Sequence, residues 1–189
     1  MLKFRLLDKI VKITDDTFSK TLYSLVMAED FSNRINELQA SKRLFKDVNF
    51  LLNAKINEIL PPFVNLGKLG FNFGMQGVQF TATSTTAENQ ALSTSMYIHS
   101  IPNNNDNQDI VSMGTNAAVM CSNVIENTFE VLAIELITII QAIEFVKCQD
   151  KLSTASKKMY DDLREIVPVF TEDMVMYPYV QKVKEFLKG

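Results

Sequence analysis

The sequence predicts an all-α fold, on three observations. Apolar residues recur at helical spacings through most of the chain. Residues 109–147 form one long, very apolar segment, and no strand-like alternation runs for more than a few residues. Length and composition agree with this class. The 189 residues suit one domain with a sizeable core, 47% are hydrophobic, and tryptophan is absent.

The first element expected is a helix over residues 2–13, with Leu6, Leu7, Ile10, Val11 and Ile13 at helix-like spacings. Thr14-Asp15-Asp16-Thr17 interrupts it. One or two further helices fill residues 18–60, carrying Leu22, Leu25, Val26, Ile35, Leu38, Leu44, Val48, Leu51, Leu52, Ile56 and Leu60. Pro61-Pro62 ends that run, because proline lacks the amide hydrogen and clashes with the preceding turn. Residues 63–77 hold Gly67, Gly70, Gly74 and Gly77 among Phe71, Phe73 and Met75. Glycine at that density weakens a helix and lets backbone approach something closely. An uncharged Ser/Thr run follows at residues 81–86.

Residues 109–147 are read as a spine, about 58 Å long at ~1.5 Å rise per residue if unbroken. Its later half is apolar nearly all round (Val131, Leu132, Ile134, Leu136, Ile137, Ile139, Ile140, Ile143). Such a helix must be wrapped on every side, and the chain looks too short to wrap it. Two shorter helices, about 155–166 and 178–187, complete the expectation. Pro168 separates them and Pro178 stands as a first helical residue.

The totals exclude several function classes. The net charge of −3 offers no basic surface for nucleic acid or an anionic membrane. Cys121 and Cys148 lack metal or redox spacing, which predicts free thiols in a reducing compartment. The amino terminus scatters charge through its apolar residues, unlike a signal peptide. The greasiest run, residues 131–146, contains Glu135, Gln141 and Glu144 and falls short of the ~20 residues a bilayer requires. A cytoplasmic protein is expected. No phosphate loop, metal cluster or nucleophile–histidine arrangement is present. His99 is the only histidine, and Met75, Met96, Met113 and Met120 read as gap-fillers.

One stretch stands out. Residues 103–109, Asn-Asn-Asn-Asp-Asn-Gln-Asp, are seven amides and carboxylates in a row, directly ahead of the spine. Asn and Asp commonly make turns by bonding their own backbone. Here they would also sit at the positive end of a helix dipole, with Asn107 and Gln108 in the first turn of the spine. Neutral amides there suit the orientation of a substrate or of developing negative charge.

Around that stretch the chain resembles the C-terminal part of the aromatic amino acid ammonia-lyase family. The residues that carry the resemblance are Leu60-Pro61-Pro62-Phe63, Gly70-Phe71-Asn72-Phe73-Gly74, Gln79-Phe80-Thr81-Ala82, Glu88-Asn89, Ser100-Ile101-Pro102, Asn107-Gln108-Asp109 and Val111-Ser112-Met113-Gly114. Asn107-Gln108 is more similar to the tyrosine and phenylalanine enzymes than to histidine lyases. Residues 63–67 and Met176-Tyr177-Pro178 are most like tyrosine ammonia-lyases of the Bacteroidetes. The resemblance implies a fumarase/aspartase-like long-helix bundle and elimination of ammonia from an aromatic L-amino acid to give an aryl acrylate. It also implies a methylidene-imidazolone electrophile made from Ala-Ser-Gly, and oligomers with shared active sites. It assigns substrate or electrophile contact to Gln76, Asn104, Asn107 and Gln108.

The chain departs from the family pattern as well. No Ala-Ser-Gly occurs in it, and the family's catalytic tyrosine and substrate-clamping arginine belong to segments upstream of the matched part. Residues 1–43 read as an unmatched helical lead and 44–189 as the lyase segment. The expectation is therefore a lyase portion, inactive alone and with no catalytic residue of its own. It would work as a homo-oligomer or with a complementary lyase chain. The alternative is a truncated, non-catalytic helical protein acting in oligomerisation or regulation.

Overall fold

A computed structural model describes residues 33–94, 101–102, 104–105, 107 and 113–189. The helix expected at residues 2–13, His99, Met96 and Gln108 lie outside the described residues. Six α-helices are described: α1 Asn33–Leu52, α2 Ala54–Asn57, α3 Gln76–Leu92, α4 Gly114–Val146, α5 Thr154–Ile166 and α6 Tyr177–Lys188. Short 3-10 turns lie at Pro62–Val64 and Gln149–Lys151, and the described residues contain no strand beyond one isolated bridge, Leu69 to Asn72. The all-α class holds.

The helix that begins at Asn33 stops at Leu52 rather than running to Leu60, and asparagine causes the stop. Asn53 caps the single turn of α2 by accepting the Lys55 N–H (3.1 Å). Asn57 is buried and bonds in both directions. Its Nδ2 donates to the carbonyls of Phe50, Leu51 and Asn53, while its Oδ1 accepts the Ile59 and Leu60 N–H groups at 3.0 and 2.7 Å. One side chain thus satisfies the carbonyls that a helix end leaves open. The same α1 passes unbroken through residues 43 and 44.

Helix α3 absorbs the Ser/Thr run. Its buried positions Val78, Ala82, Thr85, Thr86 and Asn89 follow helical spacing and face α4. The Thr85 hydroxyl donates to Glu130 Oε2 (2.9 Å) and Asn89 Nδ2 donates to Thr128 Oγ1 (3.3 Å). Poor helix formers are held helical by a packed stripe.

Helix α4 departs from expectation twice. It starts at Gly114 rather than Asp109, since Met113 holds φ at 50°, outside the right-handed helical region. Its 33 residues span about 50 Å. Its apolar half is also fully wrapped by this chain. Every residue from Val131 through Ile143 is buried, covered by α1, α3, α5 and α6. The expected shortage of wrapping applies to the other half, where residues 114–116, 118–119 and 122–123 are exposed.

The C-terminal helices close the bundle. They start one residue earlier than expected, so Pro178 is the second residue of α6. Ser153 caps α5 by accepting the Ser156 N–H at 3.2 Å. Arg164, on α5, donates to the Ile140 carbonyl (2.6 Å) and lies 3.4 Å from the Glu144 carboxylate, which also accepts the Tyr160 hydroxyl. Gln141 Nε2 donates to the Phe170 carbonyl at 2.6 Å, so the buried polar groups of α4 hold the tail in place. Leu163, Val167, Phe170, Val180 and Val183 pack into the same core as Leu44, Val48 and Leu51.

Candidate functional site

The glycine-rich run is a knot of side-chain to backbone bonds. Asn65 is buried, donates to the Asn72 carbonyl (2.6 Å) and accepts the Gly67 N–H (2.9 Å). Asp173, a hundred residues later, accepts the N–H groups of Phe73 and Gly74 at 2.9 and 3.0 Å, and its own N–H donates to Asn72 Oδ1. The close approach expected of these glycines is made by the chain itself. A Cβ on Gly67 would stand 1.8 Å from the Thr171 carbonyl oxygen, and Gly74 has φ of +58° beside the Phe63 carbonyl. The sequence therefore uses glycine here to seat the 171–173 strap.

Gln76 opens α3 directly after this knot, half-exposed, with its N–H donating to the Phe73 carbonyl at 3.3 Å. Beside it lies a groove of about 430 Å³ between the start of α3 and the segment that leads into α6. Phe73, Gly77, Val78, Met176, Tyr177 and Val180 supply most of its apolar wall, and Glu130 and Asp173 its carboxylates. Sequence reasoning missed this groove. The signal available was Phe71 and Phe73 interleaved with glycine, but their partner wall is a hundred residues away.

The amide stretch is only partly described. Asn104 and Asn105 take left-handed backbone, φ 56° and 54°, and the Asn107 N–H donates to the Asn104 carbonyl at 3.2 Å. Asparagine tolerates that conformation better than most residues. All three are exposed. Asn107 does not lie in the first turn of α4, which begins seven residues later behind the left-handed Met113. That part of the expectation is corrected: the unpaired N–H groups of α4 are not joined to Asn107 by continuous helix. Asn104 and Asn107 share one turn, and no hydrogen bond links either to Gln76 among the described residues.

Other chemistry is sparse. Among the described residues no group of His, Cys, Asp and Glu is placed to hold a metal ion. Cys121 and Cys148 are free thiols, and burial pushes the Cys148 thiol above its ordinary value. Glu126 is held below the usual carboxylate range, chiefly by its hydrogen bond from Lys188 and then by that from Lys184. No described helix is long and apolar enough to cross a membrane.

Comparison with known proteins supplies what the geometry lacks. Residues 10–165 match the family described as aromatic amino acid lyase. Histidine ammonia-lyase 1 of Fusobacterium nucleatum is 38% identical over 138 residues, 73% of this chain and 27% of that protein. The tyrosine ammonia-lyase of Cupriavidus metallidurans is 33% identical over 141 residues, 75% of this chain and 26% of its own. The crystal structure of the tyrosine aminomutase from Streptomyces globisporus superposes with a TM-score of 0.78 at 32% identity, over 82% of this chain and 29% of that one. The chain spans about a quarter of the length of the curated relatives it matches.

Proposed function

Because the chain belongs to the aromatic amino acid lyase family, we propose that it is one portion of an ammonia-lyase whose electrophile comes from polypeptide outside these 189 residues. In this reading it lines the substrate side of a cytoplasmic enzyme that eliminates ammonia from L-tyrosine, or from L-histidine or L-phenylalanine, to give an aryl acrylate. The observation that carries the reading is a pairing. The helices superpose on a quarter of a tyrosine aminomutase, and the motifs from Leu60 to Gly114 keep family order.

The family's electrophile does not fit the residues present. No Ala-Ser-Gly triplet occurs, and the two nearest runs are both helical: Ala40-Ser41-Lys42 lies inside α1 with Ser41 buried, and Ala155-Ser156-Lys157 is built into the first turn of α5. There Ser156 is buried and its N–H is bonded to the capping Ser153. No residue of this chain is assigned a bond-making step. Its contribution is positional: Gln76 at the head of α3, and Asn104, Asn107 and Gln108 as amides that orient a substrate or the group attacking it.

Co-expression tests the reading. The partner is the Fusobacterium nucleatum relative without the quarter matched here, provided that polypeptide retains Ala-Ser-Gly. A stable complex that releases ammonia and an ultraviolet-absorbing acrylate from tyrosine, histidine or phenylalanine supports it. Absence of both complex and activity overturns it.

A further inference from the structure

The groove beside Gln76 has a mostly apolar lining. Of its lining residues Phe73 is 63% exposed, Val175 74% and Tyr177 70%. Exposed aromatics gathered around a concave surface mark an interaction site rather than scattered surface residues. The floor is open over Gly77, where an added Cβ would meet no atom within 4 Å. Two carboxylates line the groove, and they differ. Asp173 is engaged by the Phe73 and Gly74 N–H groups. Glu130 accepts the Thr85 hydroxyl on Oε2, and among the described residues no basic side chain pairs with it.

We infer that this groove seats the complementary lyase polypeptide. That partner lays an apolar side chain over Gly77, between Phe73 and Tyr177, and sets a lysine or arginine beside it against Glu130. The inference rests on the reading in the preceding subsection and names the docking surface for it. Three observations favour this occupant. Relatives carry about three-quarters of their length beyond the matched part, so the family fold has polypeptide to place. The core of α4 is already covered from within the chain, which leaves the groove as an apolar concavity that no described segment fills. The Glu130 carboxylate has no cationic partner among the described residues, and a charge pair at a contact centre contributes specificity.

The experiment uses the co-expressed pair. A photo-crosslinking p-benzoylphenylalanine replaces Tyr177, and a second preparation carries it at Lys158, on the exposed face of α5. The Tyr177 probe is expected to capture the Ala-Ser-Gly polypeptide and the Lys158 probe is not. Gly77→Trp, whose Cβ meets no neighbouring atom and whose ring would occupy the groove, is expected to weaken assembly about tenfold or more, the scale of a lost interface anchor. The lone variant should keep its thermal midpoint. Glu130→Lys should weaken assembly and Glu130→Gln should do so less. Three results would overturn the inference while leaving the lyase reading intact, all in an active complex: no crosslink from Tyr177, a crosslink only between two copies of this chain, or unchanged affinity in Gly77→Trp. Failure of any complex to form removes both.

Discussion

At the scale of single residues, the side chains that matter most to this fold are amides doing backbone work. Asn57 bonds five backbone groups from within the core, three carbonyls and two N–H groups. Asn57→Ala leaves buried polar groups unpaired and should cost about 2–3 kcal/mol, read as a lower urea midpoint at unchanged m-value. Asn57→Asp should cost at least as much, since its second carboxylate oxygen would face the three carbonyls to which the amide donates. Cys148 provides a pH-dependent case. Burial raises its thiol above the ordinary value, so the folded state keeps a proton that the unfolded chain releases near pH ~8.5. The contribution is fully present below that pH and is lost as pH rises through the folded value. Stability should therefore fall in alkaline solution, and Cys148→Ala should flatten the decline. Cys121, half-buried, should react with Ellman's reagent in the native protein, and Cys148 only on unfolding.

The helices divide into those fixed by their own sequence and those fixed by their neighbours. Helices α5 and α6 carry apolar stripes and, for α5, a serine cap, and their positions were legible to within a residue. Helix α3 was not, because Thr81, Thr83, Ser84, Thr85 and Thr86 give no local reason for a helix, and only the fit of Thr85 and Asn89 against α4 explains it. Helix α4 was legible in its apolar half and misjudged at its start, where Met113 turns left-handed. Ile134 and Leu136 are fully buried at its centre. Ile134→Asp places an unpaired charge there and should abolish soluble expression, scored as the soluble fraction against the parent chain. A folded Ile134→Asp protein would contradict the central placement of α4.

Over the whole molecule, an asymmetry runs along α4: one half enclosed by the other helices, the other half largely exposed. The amide turn lies on the chain leading into that exposed half. Its side chains take no part in the core, and Gln76 is only half-buried. Gln76→Ala and Asn107→Ala should therefore unfold within about 0.5 kcal/mol of the parent. In the assembled enzyme they should lower kcat/KM, as should Gln108→Ala. A large loss of stability in Asn107→Ala would place that residue in the fold rather than at a substrate.

Much of this protein was decided locally. Periodicity identified the all-α class, the apolar spine and the two closing helices, because a buried helical face writes itself into residue spacing. The order of short motifs pointed to the aromatic amino acid lyases, and the sequence shows directly that no Ala-Ser-Gly occurs among these 189 residues. Tertiary structure decided the rest. It wrapped the spine from within the chain, made a helix of a Ser/Thr run, and moved Asn107 out of the first turn of α4. It also brought Asp173 onto Phe73 and opened a groove between them and α6. These features depend on contacts between residues as many as a hundred positions apart, and no local pattern encodes which distant backbone a given side chain will meet.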